Sequence, residues 1–127
     1  MNRAARNSCA VAECERLVAA RALPRALGEL LTLPTFTGFV TTTPAPGTTF
    51  EMLLCDRDDG IALRCFWHGV YEPSSSALIA ALGHDADRIV DIGAHTGYFT
   101  LLAAHVAPRA QIIAVGPDAA NLARLAL

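Results

Sequence analysis

The 127-residue sequence has no Cys-x-x-Cys pair, no long uninterrupted apolar run and no excess of either charge. Each absence removes a class of protein. Cysteines stand at 9, 14, 55 and 65 with no histidine at finger spacing, so there is no zinc site to build, and no other metal site is expected. Free, mostly buried thiols in a reducing compartment are the expectation. Ten Lys+Arg against 12 Asp+Glu supply neither a basic face for nucleic acid nor an acidic tail. Trp67 and Phe50 have no basic residues interleaved with them, which favours packing over base stacking. The most apolar helical stretch, "YFTLLAAHVA", holds a histidine and stops at Pro108, short of the ~20 residues a membrane span needs. Glu13, Glu15 and Arg16 interrupt any apolar leader near the N-terminus. A cytoplasmic protein without membrane or nucleic-acid partners is expected.

What is present is 53% hydrophobic residue content, enough for one domain that buries a core or adds its surface to a larger one. Residues 8–22 read as a helix capped by Ser8, with Val11, Cys14, Val18 and Ala22 on one stripe. Pro24 begins a second short helix with Leu27, Leu30 and Leu31 inward. "TLPTFTGFVTTTPAPGTTF" reads as an extended or loop-like segment and a linker, with a subdomain boundary near Thr43–Gly47. Asp59-Gly60 is a two-residue turn signal, so residues 50–67 are expected to form a β-hairpin. Its inner face would carry Phe50, Met52 and Leu54 with Ile61, Leu63, Cys65 and Trp67; Cys55 would point away from Cys65. Ser74 or Ser75 can cap the next helix, with Gly83 as its C′ residue. Strand ("RIVDIG"), helix ("TGYFTLLAAHVA"), strand ("AQIIAVG") and helix ("PDAANLARLAL") then follow in the order that opens a doubly wound α/β sheet.

The chemistry concentrates at "IVDIGAHTGYF", residues 89–99. A strand that turns straight into a helix needs residues without Cβ if its backbone is to reverse tightly and approach a ligand. Gly93 and Gly97 bracket such a turn, and the helix after it offers free N–H groups. Asp91 in the strand must be satisfied, by loop amides or by a cationic ligand group. The dinucleotide fingerprint G-x-G-x-x-G is absent, and no Gly-Lys-Ser/Thr follows to make a phosphate loop.

"VDIGAHTGYFTLLAA" resembles the first motif of S-adenosylmethionine-dependent methyltransferases of the FkbM type. That branch typically reads Asp-x-Gly-Ala-Asn-x-Gly-Tyr/Phe-Phe/Tyr here. "GVYEP", residues 69–73, is similar to the Gly-x-Tyr-Glu segment upstream of it. "VGPDAANLARL", residues 115–125, is similar to the second motif, usually Phe-Glu-Pro-x-x-x-Asn-x-x-x-Leu. The resemblance runs from about Phe50 to Leu127. It implies a fold that is α/β, the N-terminal part of a Rossmann-like methyltransferase preceded by helices and a β-hairpin. Residues 1–43 would be a helical segment and linker; residues 44–127 would be an incomplete methyltransferase domain, with the hairpin at 50–67 and β-α-β-α at 87–127. The cofactor implied is S-adenosylmethionine, held by Asp91, Gly93, Ala94, His95 and Gly97, with Tyr71 and Glu72 bordering the pocket. The reaction implied is methyl transfer to a hydroxyl of a sugar or natural-product-like acceptor. His95 stands where the branch has Asn. Gly116 stands where it has the glutamate that takes the ribose hydroxyls, and Asp118 is the nearest acid that could substitute, unless it serves only as a helix cap.

With two parallel strands and no third, open sheet edges would invite self-association. Two functional readings follow: a methyltransferase represented by its N-terminal portion, and a non-catalytic remnant or partner-dependent cofactor-binding fragment. His95 is read either as a ligand-side group or as an exposed loop residue, and Glu72 either as site-lining or as a capping acid.

Overall fold

Asn2 opens the first helix: its side chain accepts from the Ala5 N–H at 2.9 Å, and α1 runs Arg3–Ala19. The structure, a computed structural model, describes residues 2–125, with only the backbone of Arg124. The helix thus starts before Ser8, whose capping role is taken by Asn2. Its inward stripe is Ala10, Cys14 and Leu17, while Val11 and Val18 face solvent. One position of rotation puts the large Leu17 inward and lets Ala10 approach the neighbouring strand closely. The short helix α2, Leu27–Leu30, buries Leu30 and leaves Leu31 exposed.

The expected linker is a strand. β1, Phe36–Ala45, pairs antiparallel with β2, Thr48–Asp56, in a register that sets Val40 against Met52 and Thr42 against Phe50. Threonine and valine suit a pleated, half-buried surface. Val40, Thr42 and Pro44 alternate inward, as do Phe50, Met52 and Leu54. The boundary expected near Thr43–Gly47 is therefore the hairpin's own turn, and the hairpin joins the two segments that the sequence divides there. Asn7 extends the pairing: its amide donates to the Thr37 carbonyl (2.7 Å) and accepts from the Thr37 N–H (2.9 Å), fixing α1 to β1.

The hairpin expected at 50–67 does not form. Asp59 is an N-cap, accepting from the Ile61 N–H at 2.8 Å, and Gly60–His68 is helix α3. Asp-Gly serves either a tight turn or a helix start. In the structure β2 pairs with β1 instead. Ala62, Leu63, Cys65 and Trp67 are buried in the helix, and all four cysteines are free thiols.

Helix α4, Pro73–Gly83, is preceded by Glu72 at φ 42° with Pro73 at its first turn, so neither Ser74 nor Ser75 is the cap. Gly83 lies inside the helix rather than beyond it, and a Cβ there would stand 3.1 Å from Val106. Then β3 (Arg88–Ile92), α5 (Tyr98–Val106), β4 (Gln111–Val115) and α6 (Ala119–Leu125) complete the described chain. β3 and β4 are parallel, with Val90 beside Ile113 and Ile92 beside Val115.

The protein is thus a mixed α/β chain with one antiparallel and one parallel two-stranded sheet. The core gathers Val40, Phe50, Met52 and Leu54 of the hairpin with Leu63, Cys65 and Trp67 of α3 and Tyr98 and Leu102 of α5. α5 therefore belongs to both halves, which fixes the β3–α5 bend against the hairpin and α3. The opposite face of the parallel sheet, Val90, Ile92, Ile113 and Val115, is exposed. Among the described residues no helix is long and apolar enough to cross a membrane.

Candidate functional site

The bend between β3 and α5 is held by backbone bonds across the parallel pair. The amides of Gly93 and Ala94 both donate to the Val115 carbonyl, at 2.8 and 3.0 Å, and Gly97 N–H closes the turn on the Ala94 carbonyl at 2.8 Å. Gly93, His95 and Gly97 all adopt left-handed backbone, at φ 86°, 51° and 89°. Glycine enters that region freely, and histidine is among the few other residues enriched there. The bend thus carries a large side chain at its centre without a second glycine pair.

Asp91 has a different partner from either one the sequence suggests. Its carboxylate accepts from the Thr100 hydroxyl at 2.6 Å, tying the strand to the first turn of α5. The loop amides go to Val115 instead. Asp91 and Gly97 support the bend from beneath: a Cβ on Gly97 would collide with Leu125 of α6. Gly93 is different, because a Cβ there would meet nothing within 4 Å.

Two cavities meet at the bend. One, of about 540 Å³, is lined by Gly93, Ala94, His95 and Tyr98 together with Tyr71 and Arg64. The other, of about 400 Å³, is lined by Gly93, His95, Gly116, Pro117, Asp118 and Asn121. Gly93 and His95 belong to both. A third, of about 490 Å³, shares Tyr71 and Arg64 with the first and includes Glu72. The structure therefore brings Tyr71, Gly93, Ala94 and His95 to one cavity and His95 and Asp118 to the next, with Glu72 one cavity further on. Asp118 Oδ1 caps α6, accepting from the Ala120 N–H at 2.8 Å.

The "GVYEP" segment is anchored to the bend by a buried polar node. Tyr98 hydroxyl accepts from the Tyr71 N–H at 3.3 Å and lies 3.0 Å from the Ser76 hydroxyl, which donates to the Tyr71 carbonyl at 2.8 Å. Tyr71 and Tyr98 pack edge to face, with centroids 5.4 Å apart. Burial pushes both phenols up; a hydrogen bond with Glu72 and its charge add to the effect at Tyr71.

Asp59, Arg64 and Thr100 are site residues that the sequence reading does not single out. Asp59 is 1% exposed, its Oδ2 has no hydrogen-bond partner among the described residues, and its Oδ1 lies 3.9 Å from His95 Nδ1. The legible signal was an acid followed by Gly-Ile-Ala-Leu, which reads as a capped helix start as readily as a turn. Arg64 was visible only as a polar interruption. The described residues hold no cluster of His, Cys, Asp and Glu suited to a metal ion. Comparison with known proteins gives no match, whether to family models, to curated proteins or to solved structures.

Proposed function

We propose that this chain binds S-adenosylmethionine over the β3–α5 bend and derives from an O-methyltransferase of the FkbM type. The carrying observation is the bend itself: a glycine-flanked, left-handed turn at the carboxyl ends of two parallel strands, opening on both sides into cavities that share Gly93 and His95. Ligands of open α/β sheets bind at that end.

The residues present fit such a cofactor in four respects. Gly93 leaves its cavity side open where any side chain would intrude. The start of α5 directs N–H groups toward the bend, suited to a carboxylate. His95 takes the left-handed position that the resemblance gives to Asn, a residue with the same backbone tolerance. Asp118 faces the cavity of Gly116, and only its Oδ1 is used by the helix cap. When bound, the cofactor's sulfonium supplies an already activated methyl group. The chain's own task is alignment and exclusion of water, which orientation alone can make worth many orders of magnitude in rate. Tyr71 and Phe99 wall the cavity on the side where a hydroxyl-bearing sugar or natural-product-like acceptor would enter.

Calorimetric titration with S-adenosylmethionine and S-adenosylhomocysteine tests this reading. Saturable heats at millimolar ligand or below are expected, and no heat for either would remove the cofactor from the account.

One observation favours a second reading, a non-catalytic fragment that works only when a partner covers it. Val90, Ile92, Ile113 and Val115 form a bare apolar face, with Ile92 83% exposed, whereas parallel sheets are normally covered on both sides. Sedimentation velocity separates the readings: concentration-dependent association abolished by Ile92→Lys supports the fragment, and a monomer that binds cofactor supports the enzyme.

A further inference from the structure

Beyond the bend, the third cavity has a chemistry of its own. Arg64 and His68 stand four residues apart on α3, hence on one helix face, and both line it; Arg25 joins them from the segment between α1 and α2. Arg64 spends one donor on the Arg25 carbonyl, at 3.2 Å, out of the five a guanidinium carries. Arg25 is exposed and its guanidinium has no hydrogen bond among the described residues. His68 Nε2 is buried with no partner among them either. The one acid on the rim, Glu72, is engaged by the Ser75 hydroxyl at 3.0 Å. Two guanidiniums with spare donors thus converge on a space of about 490 Å³, with the His68 ring in its wall. That donor set matches a planar or tetrahedral oxyanion, which arginine recognises through paired hydrogen bonds.

We infer that the Arg25–Arg64–His68 cavity is the subsite for an anionic group, a carboxylate or phosphate, carried by the methyl acceptor. The inference rests on the cofactor reading above, because Arg64 and Tyr71 are the wall this cavity shares with the one over the bend. An acceptor held here by its anion presents the rest of its skeleton past Tyr71 toward Gly93 and His95.

Inorganic phosphate and acetate, titrated at low ionic strength into the ¹⁵N-labelled full chain, test it. Both should give saturable amide shifts centred on Arg64, His68 and Val70, and the tighter of the two names the preferred group. Arg25→Ala removes an exposed side chain with no hydrogen-bond partner among the described residues, so the fold is kept. It should weaken binding about tenfold or more, and Arg64→Gln should do the same. Arg64→Lys keeps the charge but not the paired donors, and should recover only part of the affinity that Arg64→Gln loses. Arg109→Ala, on an exposed loop beyond α5, should change nothing. Non-saturating shifts spread over the surface, or an equal loss in Arg109→Ala, would show mere charge screening and overturn the inference. The affinity for S-adenosylhomocysteine is measured on the same samples. Cofactor binding without a phosphate or acetate response refutes only the anion subsite. Anion binding without cofactor binding refutes the methyltransferase reading and, with it, the assignment to an acceptor.

Discussion

Gly116→Glu is the perturbation that most directly probes the cofactor reading. The resemblance places at this position the acid that holds the ribose hydroxyls, and the structure shows whether one could be restored. Gly116 is not among the left-handed glycines, so its backbone accepts any side chain. A Cβ there would stand 3.7 Å from Leu122 Cδ2 and 3.9 Å from the His95 nitrogen, both ordinary contacts. It borders the cavity that also holds Gly93, His95 and Asp118. A side chain can therefore start from this position without displacing a neighbour.

Two opposing effects set the magnitude. Hydrogen bonds from ribose hydroxyls to a charged acceptor contribute about 1.5–3 kcal/mol, toward the lower end in an open cavity. Repulsion from Asp118 through water costs about 0.5–1 kcal/mol. The net of ~1 kcal/mol or a little more corresponds to roughly five- to tenfold tighter binding. Calorimetry with S-adenosylhomocysteine is the right assay, because that ligand lacks the sulfonium charge and so rewards added negative charge less than S-adenosylmethionine does. Gly116→Gln, with the same shape and no charge, should give a smaller gain. An unchanged or weakened affinity in a Gly116→Glu protein with a native circular-dichroism spectrum would refute the ribose assignment.

Three further outcomes follow from the same structure. Asp59→Ala removes the α3 cap and should cost about 1–2 kcal/mol in urea unfolding, whereas Asp59→Asn keeps the cap and should cost less; equal losses would show that the cap is not what Asp59 supplies. Thr100→Val strips Asp91 of its hydroxyl partner and should cost about 1.5–3 kcal/mol, with Thr100→Ser restoring most of it, and a loss below 0.5 kcal/mol by the same measurement would mean that Asp91 finds another donor. Burial pushes the Cys65 thiol up to about 11 from an ordinary 9.0, so the folded state holds that proton more tightly than the unfolded one. Its contribution is complete below pH 9 and is lost as pH rises toward 11, by at most about 2–3 kcal/mol. Cys65→Ala should flatten that part of the stability profile, and at pH 8 iodoacetamide should label Cys9 and spare Cys65.

The second half of the chain was legible because each element there carries its own punctuation. Gly93 and Gly97 mark the bend, Pro108 ends a helix, Asp118 starts one, and strands of five residues leave no rival reading. The first half was not. "IALRCFW" is apolar on nearly every side, so its pattern fits helix and strand equally. The Thr-rich segment before it carries Pro and Gly at its turn and reads as loop until a partner strand is known.

What the residues settle by themselves in this protein are short-range matters: where the chain can turn left-handed, which termini are capped, and which segments are apolar enough to be buried. Pairing and convergence were decided only in three dimensions. β2 paired with β1 while Asp59-Gly60 began a helix; Asp91 found Thr100 instead of the loop amides; Arg25, Arg64 and His68 met around one space. The physical reason is range. Propensities and caps act within a turn or two of chain, whereas the choice among competing partners depends on which arrangement buries the most apolar surface while leaving the fewest polar groups unpaired.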